Sequence, residues 1–180
     1  MIIAIIYVII SFLLDGIISN IIPFNLVDPS FFKTIYSVIS LVIIYNYFDN
    51  KKKYLSILII LGILFDIIYT NTFILNIIVF ITIYIILSNL DYVIPNNIIT
   101  INIKSIICIS LYHILTYIIL LLANYNSYSI KLLFIILLRS LIMTIIYTTI
   151  SYLIMNKIYD NKKVKWLNNK SFFIRQIKFC

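Results

Sequence analysis

Six apolar runs alternate with short polar stretches along the chain. A helix needs roughly 20 residues to cross the hydrocarbon core of a bilayer, and the runs are about that long. The pattern therefore predicts membrane-spanning helices joined by short loops. We place the spans at about residues 1–22, 31–48, 54–69, 73–90, 105–123 and 130–158, in one domain followed by a basic cytoplasmic tail at 159–180.

Composition agrees with this pattern. Of the 180 residues, 63% are apolar and 11% are charged, whereas soluble domains carry about 25% charged residues. We therefore predict an all-α polytopic membrane protein with six transmembrane helices. The net charge of +8 favours a membrane surface over nucleic acid, because the basic residues cluster beside the spans.

The positions of the basic residues predict the orientation. If the N-terminus lies inside, eleven of the 14 Lys and Arg residues fall on the cytoplasmic side. Lys33 and Lys131 fall at the outer face, and Arg139 lies within a span. This is a strong positive-inside bias, so we predict that both termini are cytoplasmic.

Three charged residues, Asp15, Asp66 and Arg139, fall inside the predicted spans. A charge in a membrane helix costs about 2.5–3.5 kcal/mol and usually faces the protein interior with a partner. All three lie in the outer half of their spans, within roughly 6 Å of one another in depth. Since one guanidinium can hold two carboxylates, we predict an Asp15–Arg139–Asp66 network. It could be a structural clamp, a ligand or ion site, or a conformational coupling element.

Small and polar residues predict the inward faces of these spans. Gly62, Asp66 and Thr70 follow an i, i+4, i+8 spacing, which places them on one helix face. Gly62 would let a neighbouring helix come close. Ser11 shares a face with Asp15, and a hydroxyl stripe lies beside Arg139 on the last span: Ser140, Thr144, Thr148 and Ser151.

Candidate chemistry is sparse. His113 is the single histidine, and a zinc site usually needs three or four protein ligands, so we predict a buried hydrogen-bonding residue. Cys108 and Cys180 do not suggest a disulfide framework or a metal site. Without a nucleophile–histidine–acid set or a Gly-rich phosphate loop, we predict no catalysis, no cofactor and no metal.

Basic residues beside the spans predict contact with anionic lipids of the inner leaflet, at about 1 kcal/mol per residue. The tail could instead dock a cytoplasmic partner. The predicted lipid contacts are Lys51, Lys52, Lys53, Lys162, Lys163, Lys165 and Trp166.

A succession of short motifs resembles the MreD family, the rod shape-determining membrane proteins of bacteria. The motifs are Asp15-Gly16 late in the first span, the loop from Pro23 to Pro29, the polar loop 49–53, the segment GILFDIIYT at 62–70 and Arg139. The family often has a Gly shortly after the Asp-containing segment, where this chain has Thr72-Phe73-Ile74. Asn76 takes the position of the family's Asn and joins the inward face.

The resemblance implies a non-catalytic component of the cell-elongation machinery (the elongasome), which scaffolds peptidoglycan synthesis in the bacterial cytoplasmic membrane. Its expected partners are MreC, a bitopic scaffold, and through MreC the MreB filaments, RodA and a penicillin-binding transpeptidase. The family's fold is similar to that of the substrate-binding subunits of energy-coupling-factor vitamin transporters.

That similarity supplies an alternative from another functional class, a vitamin-binding transporter subunit. Such subunits typically carry an A-x-x-x-A-like motif in the first span, whereas Ala4 and Ala123 are the only alanines here. A third interpretation is an accessory subunit of another membrane complex.

Overall fold

The computed structural model describes residues 2–21, 35–48, 50–70, 72–93, 96–123 and 130–177, and this part of the chain is helical without strands. The predicted all-α class is therefore confirmed. The predicted loops at 23–29 and 124–129 lie outside the described residues. The helices are α1 (Ile2–Ile21), α2 (Tyr36–Tyr45), α3 (Lys51–Phe65), α4 (Leu75–Val93), α5 (Ile98–Leu122) and α6 (Ile130–Ile177).

Within the described residues, four helical stretches are long and apolar enough to cross a membrane: Lys51–Thr70, Leu75–Val93, Ile98–Ile119 and Leu133–Tyr159. Large apolar side chains also cover the exterior, among them Ile67, Phe134 and Leu138, which are each more than 60% exposed. Soluble monomers rarely expose extended apolar surfaces. These features fit a multi-pass membrane protein.

Helix α2 lies at the centre of the bundle. All ten of its residues are buried, and it packs against α1, α5 and α6. A helix that is apolar on every side is stable only inside the core. It is shorter than the predicted span 31–48, since it begins at Tyr36 and ends at Tyr45; residues 31–34 lie outside the described part. Ten residues cover about 15 Å.

Helices α3 and α4 form a close hairpin. A Cβ atom at Gly62 would lie 3.0 Å from Cα of Ile77 on α4, a distance that real side chains avoid. The predicted close approach at Gly62 is confirmed.

Helix α5 begins earlier than predicted, because part of the polar stretch 91–104 is helical. It starts at Ile98, where the Thr100 hydroxyl accepts a hydrogen bond from the Asn97 N–H at 2.8 Å. Lys104, predicted in a cytoplasmic loop, therefore lies within α5 and is 2% exposed. Its ammonium donates to the Asp91 carboxylate at 2.9 Å and to Asn96 Oδ1 at 2.6 Å.

Helix α6 does not end at the predicted boundary near residue 158. Its backbone continues to Ile177, 48 residues in all, so residues 159–177 of the predicted tail extend this helix. At about 1.5 Å per residue, α6 is more than twice as long as a bilayer core is thick. For the tail residues predicted to contact lipid, the structure describes the backbone but not the side chains: Lys162, Lys163, Lys165 and Trp166.

Candidate functional site

The carboxylate of Asp66 caps the start of α4. Helix α3 continues as a π-helical segment, Asp66–Thr70 (the π segment), and Asp66 is only 3% exposed. Its Oδ1 accepts from the Asn76 N–H at 3.0 Å, from Asn76 Nδ2 at 2.8 Å and from the Thr72 hydroxyl at 2.7 Å. The first N–H groups of a helix have no partner within it, and the positive end of the helix dipole favours a carboxylate.

A small polar network, which we call the Asp66 network, extends this cap to a third helix. The hydroxyl oxygens of Thr70 and Thr72 lie 2.6 Å apart, and Asn76 Nδ2 also donates to the Thr70 hydroxyl at 3.0 Å. Tyr112 of α5 donates to Asn76 Oδ1 at 2.7 Å. The network therefore joins α3, α4 and α5 through buried hydrogen bonds.

The turn between the π segment and α4 contains an unusual backbone conformation. Ile74 has a φ of 72°, a left-handed value that β-branched residues rarely adopt and that costs about 1–2 kcal/mol. The Ile74 carbonyl accepts from the Ile78 N–H at 3.1 Å, so this residue opens α4. Two residues after this strained position, the Asn76 N–H donates to the Asp66 carboxylate.

Asp15 performs the same task for α2. Its Oδ1 accepts from the Tyr36 N–H at 2.8 Å, and its Oδ2 accepts from the Ser37 N–H at 2.9 Å and from the Ser37 hydroxyl. Tyr36 and Ser37 are the first two residues of α2. Both acids thus cap a neighbouring helix.

The predicted Asp15–Arg139–Asp66 ion pairs are replaced by these caps. Within the described part of the chain, the ion pair that forms is Lys104–Asp91. Arg139 is partly exposed on α6, and its buried Nη1 has no hydrogen-bond partner. The prediction failed because helix N-terminal N–H groups satisfy a buried carboxylate without a second charged side chain.

Gly16 and Tyr69 connect α1 to the π segment. The Tyr69 hydroxyl donates to the Phe12 carbonyl at 2.7 Å, and a Cβ atom at Gly16 would lie 2.5 Å from the Tyr69 hydroxyl oxygen. A side chain at Gly16 would push this tyrosine away. The two capping acids therefore lie on elements that contact each other directly.

Most residues of the predicted inward face are buried. Ser11 is fully buried and lies 2.9 Å from the Tyr147 hydroxyl. Gly62 is also buried. Asn76, Ser140 and Thr144 are each 0% exposed, as is Thr148, and Ser151 is 4% exposed.

Thr70 is the exception, because its side chain is exposed. A π-helical segment hydrogen-bonds at i+5 rather than i+4 and turns less per residue, which rotates Thr70 away from the stripe through Gly62 and Asp66. Its hydroxyl nevertheless reaches the Asp66 network, at 3.5 Å from Asp66 Oδ1.

The lysines at the start of α3 have different environments. Lys52 and Lys53 are exposed, and their backbone N–H groups donate to Asn50 Oδ1 at 3.0 and 3.4 Å. Lys51 donates to the Tyr45 carbonyl at 2.9 Å and lies 3.4 Å from the centre of the Tyr45 ring. Lys51 therefore joins α3 to the end of α2. This contact within the protein differs from the lipid contact that was predicted for Lys51.

A cleft of about 260 Å³ lies beside Asp66, between the end of α3 and the start of α4. Asp66 and Thr72 are its polar lining residues, and the remaining lining is Ile and Phe side chains, including Ile63, Ile67 and Phe73.

His113 is 8% exposed, with its ring 5.8 Å from that of Tyr112; its predicted burial is confirmed. Among the described residues, no three His, Cys, Asp or Glu side chains lie close enough together to hold a metal ion. Comparison with known protein families, curated proteins and solved structures finds no match for this chain.

Proposed function

We propose that the chain is a non-catalytic scaffold of the MreD type in the bacterial cytoplasmic membrane. In this proposal it spans the membrane six times, with both termini in the cytoplasm. It binds an MreC-like bitopic protein and, through it, is linked to MreB, RodA and a penicillin-binding transpeptidase. The observation that carries the proposal is the role of the segment 62–70, because the segment that most resembles the family also joins three helices.

The contacts of the motif residues support a structural role. Asp15 caps α2, Gly16 accommodates Tyr69, and Gly62 lies against α4. Asp66 caps α4 and belongs to a network that reaches α5. Each residue is used to hold helices together, as expected of a rigid platform for other membrane proteins.

The turn before α4 gives a second line of support. Ile74 adopts a left-handed conformation that glycine adopts without steric cost. The MreD family often carries a Gly in this short segment, so the backbone here has the shape that the family's sequence favours.

The vitamin-transporter alternative receives less support. Pockets for small molecules usually enclose about 300–1,000 Å³ and offer several well-placed polar groups. The cleft beside Asp66 holds about 260 Å³, and its polar lining is confined to Asp66 and Thr72. A water-soluble vitamin would find few groups to recognise it.

Copurification tests the proposal. The chain, tagged at its C-terminus, would be expressed with the MreC protein of the same organism, extracted in mild detergent and captured. We expect MreC to be retained and depletion of the chain to convert rods into spheres. A folded chain that retains no MreC, from cells that keep their shape without it, would overturn the proposal; a bound vitamin would favour the alternative.

Genomic context and a truncation refine this test. Neighbouring genes for MreB and MreC would agree with the proposal. Deleting residues 161–180 separates the two roles considered for the tail: loss of MreC indicates docking, and retention of MreC with weaker binding to anionic vesicles indicates a lipid anchor.

A further inference from the structure

One oxygen of the Asp66 carboxylate has no partner. Asp66 is 3% exposed, and three donors from Thr72 and Asn76 converge on its Oδ1. Its Oδ2 is buried and accepts no hydrogen bond. A buried acceptor without a donor is unfavourable, and more so when it is charged, so a donor from outside the chain would bind favourably at this oxygen.

The surroundings of Asp66 suit a ligand with an apolar part. Asp66 lines the cleft of about 260 Å³, whose other walls are mainly isoleucine and phenylalanine side chains. The rim is open, because Ile67 is 67% exposed and Phe73 is 91% exposed. Phe73 has so little protein contact that a ligand can displace it.

The position of the cleft along the helices also limits which kind of ligand can reach it. Asp66 lies four residues before Thr70, the last residue of the π segment. Four residues cover about 6 Å along a helix. The α3–α4 turn lies at an end of its membrane-crossing helices. Lipid headgroups lie at this depth on either side of a bilayer.

We propose that this cleft binds a membrane lipid whose headgroup carries an N–H or O–H donor. The donor occupies Asp66 Oδ2, and the adjoining hydrocarbon of the lipid lies against Ile63, Ile67 and Phe73. An ammonium headgroup and a hydroxyl headgroup share this chemistry. The site is independent of the scaffold role, because it requires no protein partner.

Lipid-resolved native mass spectrometry tests the proposal. The delipidated full chain would be titrated with phosphatidylethanolamine, phosphatidylglycerol and phosphatidylcholine carrying identical acyl chains. Phosphatidylcholine is the matched control, because its trimethylated nitrogen has no N–H. We expect at least one of the two donor-bearing lipids to be retained about tenfold more strongly than phosphatidylcholine. This is the effect of one charge-assisted hydrogen bond. Retention of the ethanolamine lipid alone assigns an ammonium donor, and retention of the glycerol lipid alone assigns a hydroxyl.

Two tryptophan substitutions control for misfolding and for the general attraction of anionic lipids to the basic chain. Ile67→Trp fills the cleft, whereas Ile68→Trp places the same side chain on the neighbouring residue, which is 57% exposed and does not line the cleft. We expect Ile67→Trp to abolish the tenfold preference and Ile68→Trp to keep it.

Asp66→Asn replaces one oxygen by a donor and should also reduce the preference about tenfold. Equal retention of all three lipids, or a preference that Ile67→Trp leaves intact, would overturn the proposal.

Discussion

Replacing Asp66 by alanine removes the acceptor that caps α4. The Asn76 N–H and side-chain amide then lose that acceptor in a fully buried position. Loss of a helix cap costs about 0.5–2 kcal/mol, and a buried amide without an acceptor costs about 1–3 kcal/mol. We therefore expect Asp66→Ala to lower the free energy of unfolding by about 2–4 kcal/mol.

Asp66→Asn is the matched comparison, because its carbonyl oxygen can still accept these donors. It loses only the interaction of a charge with the helix dipole, about 0.3–1 kcal/mol. For a chain of this size, about 1 kcal/mol shifts Tm by roughly 2–4 °C. Asp66→Ala should therefore lower Tm by about 4–16 °C, and Asp66→Asn by at most about 4 °C.

Thermal unfolding of the purified full chain in detergent, followed by circular dichroism, measures both shifts. Thr82→Ala is the control, since this hydroxyl bonds only within α4, to the Ile78 carbonyl. A Tm for Asp66→Ala equal to that of Thr82→Ala would show that the carboxylate does not cap α4.

Double-mutant cycles distinguish this role from an ionic clamp. Asp66 and Asn76 share hydrogen bonds, so their substitutions should be non-additive by about 0.5–3 kcal/mol. Asp66 and Arg139 form no ion pair, so Asp66→Asn and Arg139→Gln should add within about 0.5 kcal/mol. Strong coupling to Arg139 would restore the clamp interpretation.

The same thermal assay checks three further predictions. Gly16→Ala should destabilise the chain by about 1–3 kcal/mol through overpacking. Adding Tyr69→Phe to this variant should restore part of the lost stability, because it removes the hydroxyl that a Cβ would meet. Additive losses for the two substitutions would contradict this contact. Ile74→Gly should raise stability by about 1 kcal/mol because glycine adopts a positive φ freely, and a lower Tm would contradict the strained turn. Asp91→Asn should lower the free energy of unfolding by about 1.5–3 kcal/mol because Lys104 keeps its buried charge. The double variant with Lys104→Met should lower it by less, and equal losses in the single and double variants would refute the Lys104–Asp91 ion pair.

Helix content was predictable because each apolar run is long. The spans predicted at 54–69 and 73–90 overlap α3 with its π segment and α4 almost completely. The start of α5 lies earlier than predicted because the polar residues around Asn97 and Thr100 are also typical of a loop. An Asn followed three residues later by a hydroxyl side chain, just before an apolar run, resembles a capping signal and could have located this start.

The candidate site was predictable in position but not in its partners. An acid in an apolar run must be buried against something, and Asp66 is buried. Pairing among charged side chains leaves out the backbone N–H groups, which are the donors that Asp15 and Asp66 use. A helix that begins at a buried position needs acceptors for its first N–H groups, and this requirement is the signal that points to the caps. The exposure of Thr70 depends on the π segment, and no residue pattern in DIIYT distinguishes that segment from an α-helix.

The two caps have a consequence for biosynthesis. In each case the acid precedes the helix that it caps, by 21 residues from Asp15 to Tyr36 and by 10 from Asp66 to Asn76. Each acid is therefore made before the backbone N–H groups that it caps, and those N–H groups belong to the following helix. We therefore expect the helices to enter a membrane as pairs, α1 with α2 and α3 with α4. If translation stopped between the two helices of a pair, the carboxylate would lack the N–H groups that it caps.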